Sequence, residues 1–462
     1  MTRLLILCPD RVGPLMAGTA MRHMELARAL ALEHEVVLAV AGRPEADTAP
    51  GLQLTSLDDP GLEGLARRAG AVLVQGYAFR KLAWLRELTV PIVGDLYDPA
   101  PLANLEIGVT GAAARSRQER HELCLGFAIE LLLHADFFLA AHERARDFWL
   151  GMLAALGRVD PKGHALGPSF RGLIDTLPTG VPSAPPPDLA PAPAHPAYAN
   201  GRRPFIWSGG IWDWMDAETL LRAFAPLAAS RPDAALVFLG TRHPNPEVPP
   251  MGAAARAREL AAGLGLLEGQ VYFEEWTPLA QRHAWLANAT AGVSLHGAHL
   301  EARFAWRTRL LDHLWLGTPS VVSTGDALGD EMVAAGAALG VAPGDAAAVR
   351  VALSALLDDC ELRRRQSAAA RTLAGRYAWP DLVAPLARFL TDPYTTRNRG
   401  SPLRYVDYLK EFLPHSPFHS ARLARARNVL ATEGSRGLAR RALSRAARAV
   451  GLSASARHRG ED

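Results

Sequence analysis

Three arginines and two acidic residues lie close together within residues 294–326 of this sequence. They are Glu301, Arg303, Arg307, Arg309 and Asp312, and the last two are one helical turn apart. Guanidinium groups bind diphosphate oxygens through paired, charge-assisted hydrogen bonds, and a carboxylate accepts hydrogen bonds from ribose hydroxyls. The stretch therefore predicts a site for a nucleoside diphosphate. A surface helix with ion pairs one turn apart is the alternative.

The residues that follow favour the diphosphate interpretation. The letters LDHLWLGTPSVVST predict a helix, a break at Gly317 and Pro319, and then an apolar strand. In a parallel sheet this order places the charged turn at the open end of the sheet rather than on its back.

A glycine pair marks a second candidate site, in the segment FIWSGGIWDWMDAETLLRAF at 205–224. Gly209 and Gly210 follow an apolar strand and precede a helix that we expect to begin near Asp213 or Asp216. A phosphate could approach the backbone amides of such a turn. A turn that only lets strand and helix pack together is an equally good interpretation.

Two tryptophans share that segment. Trp212 and Trp214 follow the glycines directly, where indole rings could stack on a base or a sugar. Aromatic residues beside a glycine turn are core residues just as often, so both interpretations stay open.

The N-terminal part of the chain offers a glycine loop. Gly13 and Gly18 flank a loop before a helix that should begin near Thr19, and its amides could meet a phosphate or a sugar. A loop without a ligand is equally compatible with this spacing.

The letters GDLYDP form a second polar cluster in this part. They place Asp95, Tyr97 and Asp98 at the end of a predicted strand, where substrate-binding groups of parallel sheets lie. Both carboxylates could bind acceptor hydroxyls, or Asp98 with Pro99 could cap the next turn.

Composition limits the classes of protein that fit. The chain has 462 residues, 49% of them hydrophobic and 21% charged, which is typical of a globular protein of two or three domains. Three separated cysteines and a formal net charge of +3 favour neither a disulfide framework, nor a zinc site, nor binding to nucleic acid. The first apolar run is too short for a signal peptide, and no stretch is long enough to span a membrane. We therefore expect a cytoplasmic protein.

Strands and helices alternate twice along the chain. The pattern predicts an α/β protein with two doubly wound domains, at 1–182 and 204–378. The proline-rich letters SAPPPDLAPAPAHPAYANGRRP predict a linker at 183–203, and a helix at 379–392 is expected to return toward the first domain.

The order of these parts resembles a known family. SGGIWDWMDAETLLRAF, VYFEEWTP, LDHLWLGTPSVVS and YAWPDLVAPLARFL, with the glycine loop and LPTGVP before them, look like the retaining GT-B glycosyltransferases of family 4, over residues 1–392. The resemblance implies two Rossmann-like domains facing across a cleft and transfer of a sugar from a nucleotide-diphosphate donor to a glycan or lipid-linked acceptor. It also implies retention of configuration by front-face attack, in which the departing diphosphate assists.

The resemblance assigns roles to the candidate residues. The second domain would bind the donor, through Gly209, Gly210, Trp212, Asp216, Trp276, Glu301 and Arg303. The acceptor side would comprise Gly13, Gly18, Asp95, Tyr97 and Asp98. The catalytic groups would be Arg309, Arg307 and Asp312.

The sequence departs from the family pattern in two ways. Residues 209–216 lack the arginine and lysine that usually bind the diphosphate. The usual pair of glutamates is also absent, because the aligned positions hold Phe304 and Asp312. We interpret the three arginines of 303–309 as a replacement clamp. Because they and helix N-terminal amides can stabilise a departing diphosphate, and no Asp-x-Asp occurs, we expect no metal and no cofactor.

The last part of the chain is basic. Residues 393–462 hold 14 Lys and Arg against 5 Asp and Glu. On a helical wheel over 436–450, arginines 440, 441, 445 and 448 oppose an alanine-rich apolar face, which predicts weak, electrostatic contact with anionic lipid at the inner membrane face. A solvated basic tail is at least as compatible.

Two other functions stay open at this point. A GT-B sugar-nucleotide epimerase would need paired carboxylates and a catalytic histidine, which we cannot assemble from these motifs. A non-catalytic binding protein with the same fold would account for the missing arginine, lysine and glutamates.

Overall fold

The computed structural model describes residues 2–46, 49–108, 114–186, 191–245, 248, 251–396 and 398–400. The basic segment that we predicted as an interfacial helix lies outside these residues. Among the described helices, none is both long and apolar enough to cross a membrane.

The first domain is a seven-stranded sheet with helices on both faces. Its strands are β1 Arg3–Leu7, β2 Glu35–Val40, β3 Leu52–Ser56, β4 Ala71–Val74, β5 Ile92–Leu96, β6 Phe137–Ala140 and β7 Ile174–Thr176. Its helices are α1 Gly18–Leu30, α2 Leu62–Arg67, α3 Ala78–Lys81, α4 Ala100–Glu106, α5 Ala114–His134, α6 Glu143–Ala155 and α7 Pro161–Leu166. The strand order is β3-β2-β1-β4-β5-β6-β7, and the paired strands are parallel.

The apolar sequence of β1 explains why this sheet is covered on both faces. Leu4 and Ile6 belong to one hydrophobic core, whereas Leu5 and Leu7 belong to another on the opposite face. A strand buried on both faces has no polar alternation, which is how β1 appears in the sequence.

The second domain repeats the arrangement with six strands. They are β8 Arg203–Ser208, β9 Ala234–Leu239, β10 Val271–Glu274, β11 Ala291–Ser294, β12 Ser320–Ser323 and β13 Ala338–Val341. The helices are α8 Ala217–Ser230, α9 Gly252–Gly263, α10 Leu279–Ala287, α11 Leu300–Phe304, α12 Arg309–Leu316, α13 Ala327–Ala334, α14 Ala346–Asp358 and α15 Cys360–Ala374. The order β10-β9-β8-β11-β12-β13 is again parallel, so the prediction of two doubly wound domains is confirmed.

The order of the strands fixes where a ligand can bind. The winding reverses between β1 and β4 in the first sheet and between β8 and β11 in the second. A crevice opens at the carboxyl ends of the strands at such a reversal, because the loops on its two sides run in opposite directions.

The chain crosses between the domains twice. At the crossing, the Val181 amide donates to the Tyr377 carbonyl oxygen at 2.7 Å. Two final helices follow, α16 Trp379–Leu382 and α17 Ala384–Thr391, and Trp379, Leu386 and Phe389 lie in the same hydrophobic core as Leu4 of the first domain. The last helices therefore pack on the N-terminal sheet.

The segment that we predicted as a linker is not independent of the second domain. Its described part ends in a short 3-10 helix, Ala199–Gly201, directly before β8. Ala197 is fully buried, and the Tyr198 hydroxyl donates to the Trp285 carbonyl oxygen at 2.5 Å. This part of the segment is held against the second domain.

Candidate active site

A cavity of about 630 Å³ lies between the two domains and is lined by both. The residues that line it follow the carboxyl ends of strands in each sheet, including Thr19, Tyr97, Asp98 and Thr179 from the first domain and Gly209, Gly210, Arg307 and Arg309 from the second. Of the sequence candidates, the cavity does not include Gly13, Asp95, Asp216 or Arg303.

The glycine pair lies at the reversal in the second sheet, directly after β8. Gly209 has a φ of +120°, which a residue with a Cβ rarely adopts. A Cβ on Gly210 would lie 3.0 Å from the Trp212 ring. Both glycines line the cavity, and the guanidinium carbon of Arg309 lies 3.9 Å from where a Cβ on Gly209 would be.

Arg309 is the first residue of α12 and forms no ion pair with an acidic residue that the structure describes. Its guanidinium lies over the Trp207 ring, 5.1 Å from the centroid, and Nη2 donates to the Gly210 carbonyl oxygen at 2.7 Å. Nη1 is buried and has no hydrogen-bond partner among the residues that the structure describes. Burial, and then the nearby Arg307 and Arg282 guanidinium groups, lower the pKa of Arg309 to about 9. An anion at this position would relieve both the missing hydrogen bond and the repulsion.

Arg307 is paired, in contrast. Its two terminal nitrogens donate to the two carboxylate oxygens of Glu301 at 2.9 and 2.7 Å, and both side chains are buried. Burial alone would lower the pKa of Arg307, but the Glu301 carboxylate raises it. The pair lines the cavity with little net charge. Both terminal nitrogens of Arg307 already donate to Glu301, so Arg307 does not act as an unpaired cation of the predicted clamp.

Arg303 points away from the cavity. It is exposed, and its guanidinium lies over the Phe304 ring, 5.6 Å from the centroid. The reason lies in α11, where positions two residues apart face different sides, so that Glu301 points inward and Arg303 outward. The structure therefore does not bring Arg303 to the donor side of the site.

Asp312 lines the cavity but already has a cationic partner. Its carboxylate lies 3.0 Å from Nη2 of Arg282 and 3.6 Å from Nε2 of His283, both on α10. Burial alone would raise the pKa of Asp312, but chiefly the Arg282 guanidinium lowers it to about 2. Sequence spacing did not find Arg282, because the contact joins residues on different helices.

The indole rings of the glycine segment form one wall of the cavity. Trp212 and Trp214 stack with their centroids 5.2 Å apart and their planes within 2°. The His243 ring lies 5.5 Å from Trp212 and 5.1 Å from Trp276, which also lines the cavity. These rings offer flat apolar faces of the kind on which bases and sugars stack.

Asp216 serves the helix rather than the cavity. It is the N-cap of α8, and its carboxylate accepts a hydrogen bond from the Thr219 amide at 2.9 Å. That is the ordinary task of an aspartate at this position.

The first-domain candidates separate into two groups. Gly18 begins α1 and lines the cavity, and a Cβ placed on it would lie 3.2 Å from Thr308 Oγ1. Gly13 lies outside the cavity, beside Glu45. Tyr97 lines the cavity and shares a 2.9 Å hydrogen bond with Thr19.

Asp95 is a buried ion-pair partner. It accepts two hydrogen bonds from Arg22, at 2.9 and 2.8 Å, and both side chains are completely buried. Arg22 in turn lies over the Tyr97 ring, 5.2 Å from its centroid. Asp95 therefore holds Arg22 behind the wall of the cavity and does not line the cavity itself.

Asp98 is the open carboxylate of the first domain. It lines the cavity and is exposed. Partial desolvation by the neighbouring protein, and then the Glu301 carboxylate across the cleft, raise the pKa of Asp98 to about 7.

The two walls also touch one another. The Asn245 side-chain amide donates to Asp10 at 2.8 Å, and Trp276 Nε1 donates to the Met16 carbonyl oxygen at 3.4 Å. The N-terminal glycine loop therefore lies against the donor side of the cavity. Within the described ranges, no group of three or more His, Cys, Asp or Glu side chains could hold a metal ion.

No protein-family model matches this sequence, and no curated protein matches it either. Solved structures do. Sucrose-phosphate synthase from Thermosynechococcus elongatus matches with a TM-score of 0.58 and 15% identity over 85% of this chain and 98% of that one. WaaG, a glycosyltransferase involved in lipopolysaccharide biosynthesis, matches with a TM-score of 0.56 and 15% identity over 84% and 100%. Anabaena HepE in complex with UDP and glucose gives 0.56 and 12% over 85% and 100%. The chain therefore has the two-domain GT-B fold.

Proposed function

We propose that this protein is a glycosyltransferase that moves a sugar from a nucleotide-diphosphate donor to a glycan or lipid-linked acceptor. The observation that carries the proposal is Arg309, a half-buried residue whose guanidinium lies beside Gly209 and has a buried Nη1 with no partner within the described part of the chain. A diphosphate at the glycine pair would supply the missing acceptor. As the sugar leaves, the same guanidinium would stabilise the charge that develops on the diphosphate.

The structural neighbours support the choice of donor. WaaG is described as a glycosyltransferase, and HepE was solved with UDP and with UDP-glucose. The stacked rings of Trp212 and Trp214 give this cavity a wall on which a base or sugar can lie.

The resemblance seen in the sequence implies retention of configuration and no requirement for a metal. Retention by front-face attack requires the departing diphosphate to take the proton of the acceptor hydroxyl. Arg309 would stabilise the departing diphosphate in place of a metal ion. Retention and independence of a metal are both part of the proposal.

The first test is donor binding by thermal shift against UDP-, GDP-, ADP-, CDP- and dTDP-glucose, in the presence of EDTA. A ligand that binds only the folded state raises the melting temperature by mass action. We expect one base to give a shift. Arg309→Ala should weaken that donor tenfold or more, because a charge-assisted hydrogen bond contributes about 1.5–3 kcal/mol and about 1.4 kcal/mol is tenfold in affinity.

Arg303→Ala is the matched control, since it removes an exposed arginine six residues away and should leave donor affinity unchanged. Equal affinity in Arg309→Ala and the parent protein would reject the clamp. Tight donor binding without slow release of nucleoside diphosphate would identify a binding protein instead of a transferase.

A further inference from the structure

A side cavity of about 100 Å³ lies beside the glycine pair in the second domain. Four residues line both this side cavity and the main cavity, namely Gly210, Trp212, His243 and Trp276. The Gly210 carbonyl oxygen also accepts the 2.7 Å hydrogen bond from Arg309. A nucleotide whose diphosphate lies on Arg309 would therefore have its base beside this space, one ribose away.

The walls of the side cavity suit a flat ring. The His243 ring lies against the rings of Trp212 and Trp276, with centroid distances of 5.5 and 5.1 Å. Gly240 follows β9 with a φ of +102°, and a Cβ on it would lie 3.1 Å from the Trp276 ring. A glycine is therefore what lets the backbone come so close to this indole. Aromatic faces arranged in this way stack on a base.

The volume of the side cavity limits the base to a single ring. An apolar cavity of about 150 Å³ holds one benzene molecule. The side cavity is smaller than that but adjoins the main cavity, so it accommodates one six-membered ring and not the fused rings of a purine.

The polar side chains of the side cavity are mainly hydrogen-bond donors. Nδ1 of His243 accepts a hydrogen bond from the Asn245 amide at 3.1 Å, so the proton of the neutral ring is on Nε2. That Nε2 has no partner among the residues that the structure describes. The Arg242 guanidinium is a donor only. None of the described lining residues is Asp, Glu, Asn or Gln.

Such donors distinguish the pyrimidine bases by the group at C4. Uracil and thymine carry a carbonyl oxygen there, O4, whereas cytosine carries an amino group. A base would enter the side cavity with this edge first, because the ribose is attached at the other end of the ring. O4 would accept from Nε2 of His243, whereas an amino group would face another donor and leave both without an acceptor.

We propose that the donor carries a keto pyrimidine, uracil or thymine, and that His243 selects it through a hydrogen bond from Nε2 to O4. This rests on the proposed function, since the diphosphate on Arg309 determines where the base lies. His243 determines specificity and takes no part in the transfer itself. The Asn245 side chain also donates to Asp10 at 2.8 Å, so a contact between the domains holds the loop that carries His243.

The test measures the dissociation constants of the full chain for UDP-, dTDP-, CDP-, GDP- and ADP-glucose by titration calorimetry. UDP- and CDP-glucose are the matched ligands, because the change at C4 separates them. The keto pyrimidine should bind about tenfold more tightly than CDP-glucose, or better, because two facing donors are both left unsatisfied. The two purine donors should bind no better than CDP-glucose. The order of UDP- and dTDP-glucose distinguishes uracil from thymine.

His243→Phe keeps a ring against the two indoles and removes the donor. It should weaken the keto pyrimidine about tenfold and change CDP-glucose by less than about threefold, so that the preference disappears. His164→Phe makes the same substitution at an exposed histidine of the first domain and should bind all five donors like the parent protein. A general disturbance of the site would weaken both pyrimidine donors equally, so their ratio reports the selection of the base.

The outcomes separate this inference from the proposed function. Preference for CDP-, GDP- or ADP-glucose in the parent protein, or an unchanged ratio of UDP- to CDP-glucose affinity in His243→Phe, would overturn the role of His243. A loss of affinity in Arg309→Ala would still support the transferase in that case. Where His243→Phe does not fold, the ranking by the parent protein decides the base. If the parent protein binds none of the five, both proposals are rejected.

Discussion

Three arginines of similar sequence context have three different environments in the folded protein. Arg303 is exposed, Arg307 forms an ion pair with Glu301, and Arg309 has a terminal nitrogen, Nη1, with no hydrogen-bond partner among the residues that the structure describes. The sequence predicted the cluster correctly as a local concentration of charge. Which member stays free depends on a neighbour six residues away and on the direction in which a five-residue helix faces.

His313, four residues after Arg309, gives a pH-dependent prediction at this scale. It is completely buried between the Ser208 and Ser320 hydroxyls, at 2.8 and 3.0 Å, and burial lowers the pKa to about 4. An unfolded histidine titrates near 6.5, so stability is full above that pH and falls as pH drops from about 6.5 to about 4. We expect a loss of about 2 kcal/mol in unfolding free energy between pH 8 and pH 5 from this group.

The measurement is urea denaturation at both pH values for the parent protein and for His313→Gln. The remaining ionisable groups are the same in both proteins, so the difference between the two losses of stability isolates His313. If the variant loses as much stability as the parent protein, the buried neutral histidine is not the cause.

At the scale of elements, an aspartate between a strand and a helix either caps that helix or does not. Asp216 and Asp98 both follow a strand and precede a helix in sequence. The Asp216 carboxylate accepts a hydrogen bond from the Thr219 amide, three residues later. Asp98 makes no such bond, because the helix after it begins at Ala100 without a side-chain cap. The residue types alone did not distinguish these two outcomes.

Asp216→Ala tests that distinction. Loss of an N-cap costs about 1 kcal/mol, and donor affinity should stay within twofold because the cap faces its own helix. Asp345→Ala removes the N-cap of α14 in the same way and is the matched control. A tenfold loss of donor affinity in Asp216→Ala alone would show that this carboxylate does contact the donor, as the sequence had suggested. Denaturation and the thermal-shift assay measure the two effects.

At the scale of the whole molecule, residues 392–396 and 398–400 hold the end of the described chain against the first domain. The fully buried Asp136 carboxylate accepts from the Thr396 amide at 2.7 Å and from Arg399 at 3.0 Å. Arg158 donates to the Thr396 hydroxyl at 2.8 Å. The segment that we had assigned to the basic extension therefore contributes, in its first residues, to the polar interior of the N-terminal domain.

Two truncations follow from this arrangement. A chain that ends at Gly400 should keep its melting temperature and its donor shift. A chain that ends at Thr391 leaves the Asp136 charge buried without these partners, which costs about 3–5 kcal/mol, so its melting temperature should fall by many degrees. Equal stability of the two would show that Asp136 finds other partners.

The chain that ends at Gly400 also tests the predicted contact with anionic lipid. If the basic residues beyond Gly400 bind anionic lipid, the full chain should sediment with phosphatidylserine vesicles and the chain ending at Gly400 should not. Equal sedimentation of both would remove the basic segment from that role.

The sequence by itself determined the two doubly wound domains, because apolar runs and helical periodicity report burial at every position of a strand or helix. It also located the glycine pair and the charged turn, since both follow predicted strands and parallel strands end at one edge. Only the tertiary structure decided the partners: Arg282 for Asp312, Arg22 for Asp95, and none described for Asp98. Such contacts join residues far apart in the chain, and no local pattern encodes the distance between them.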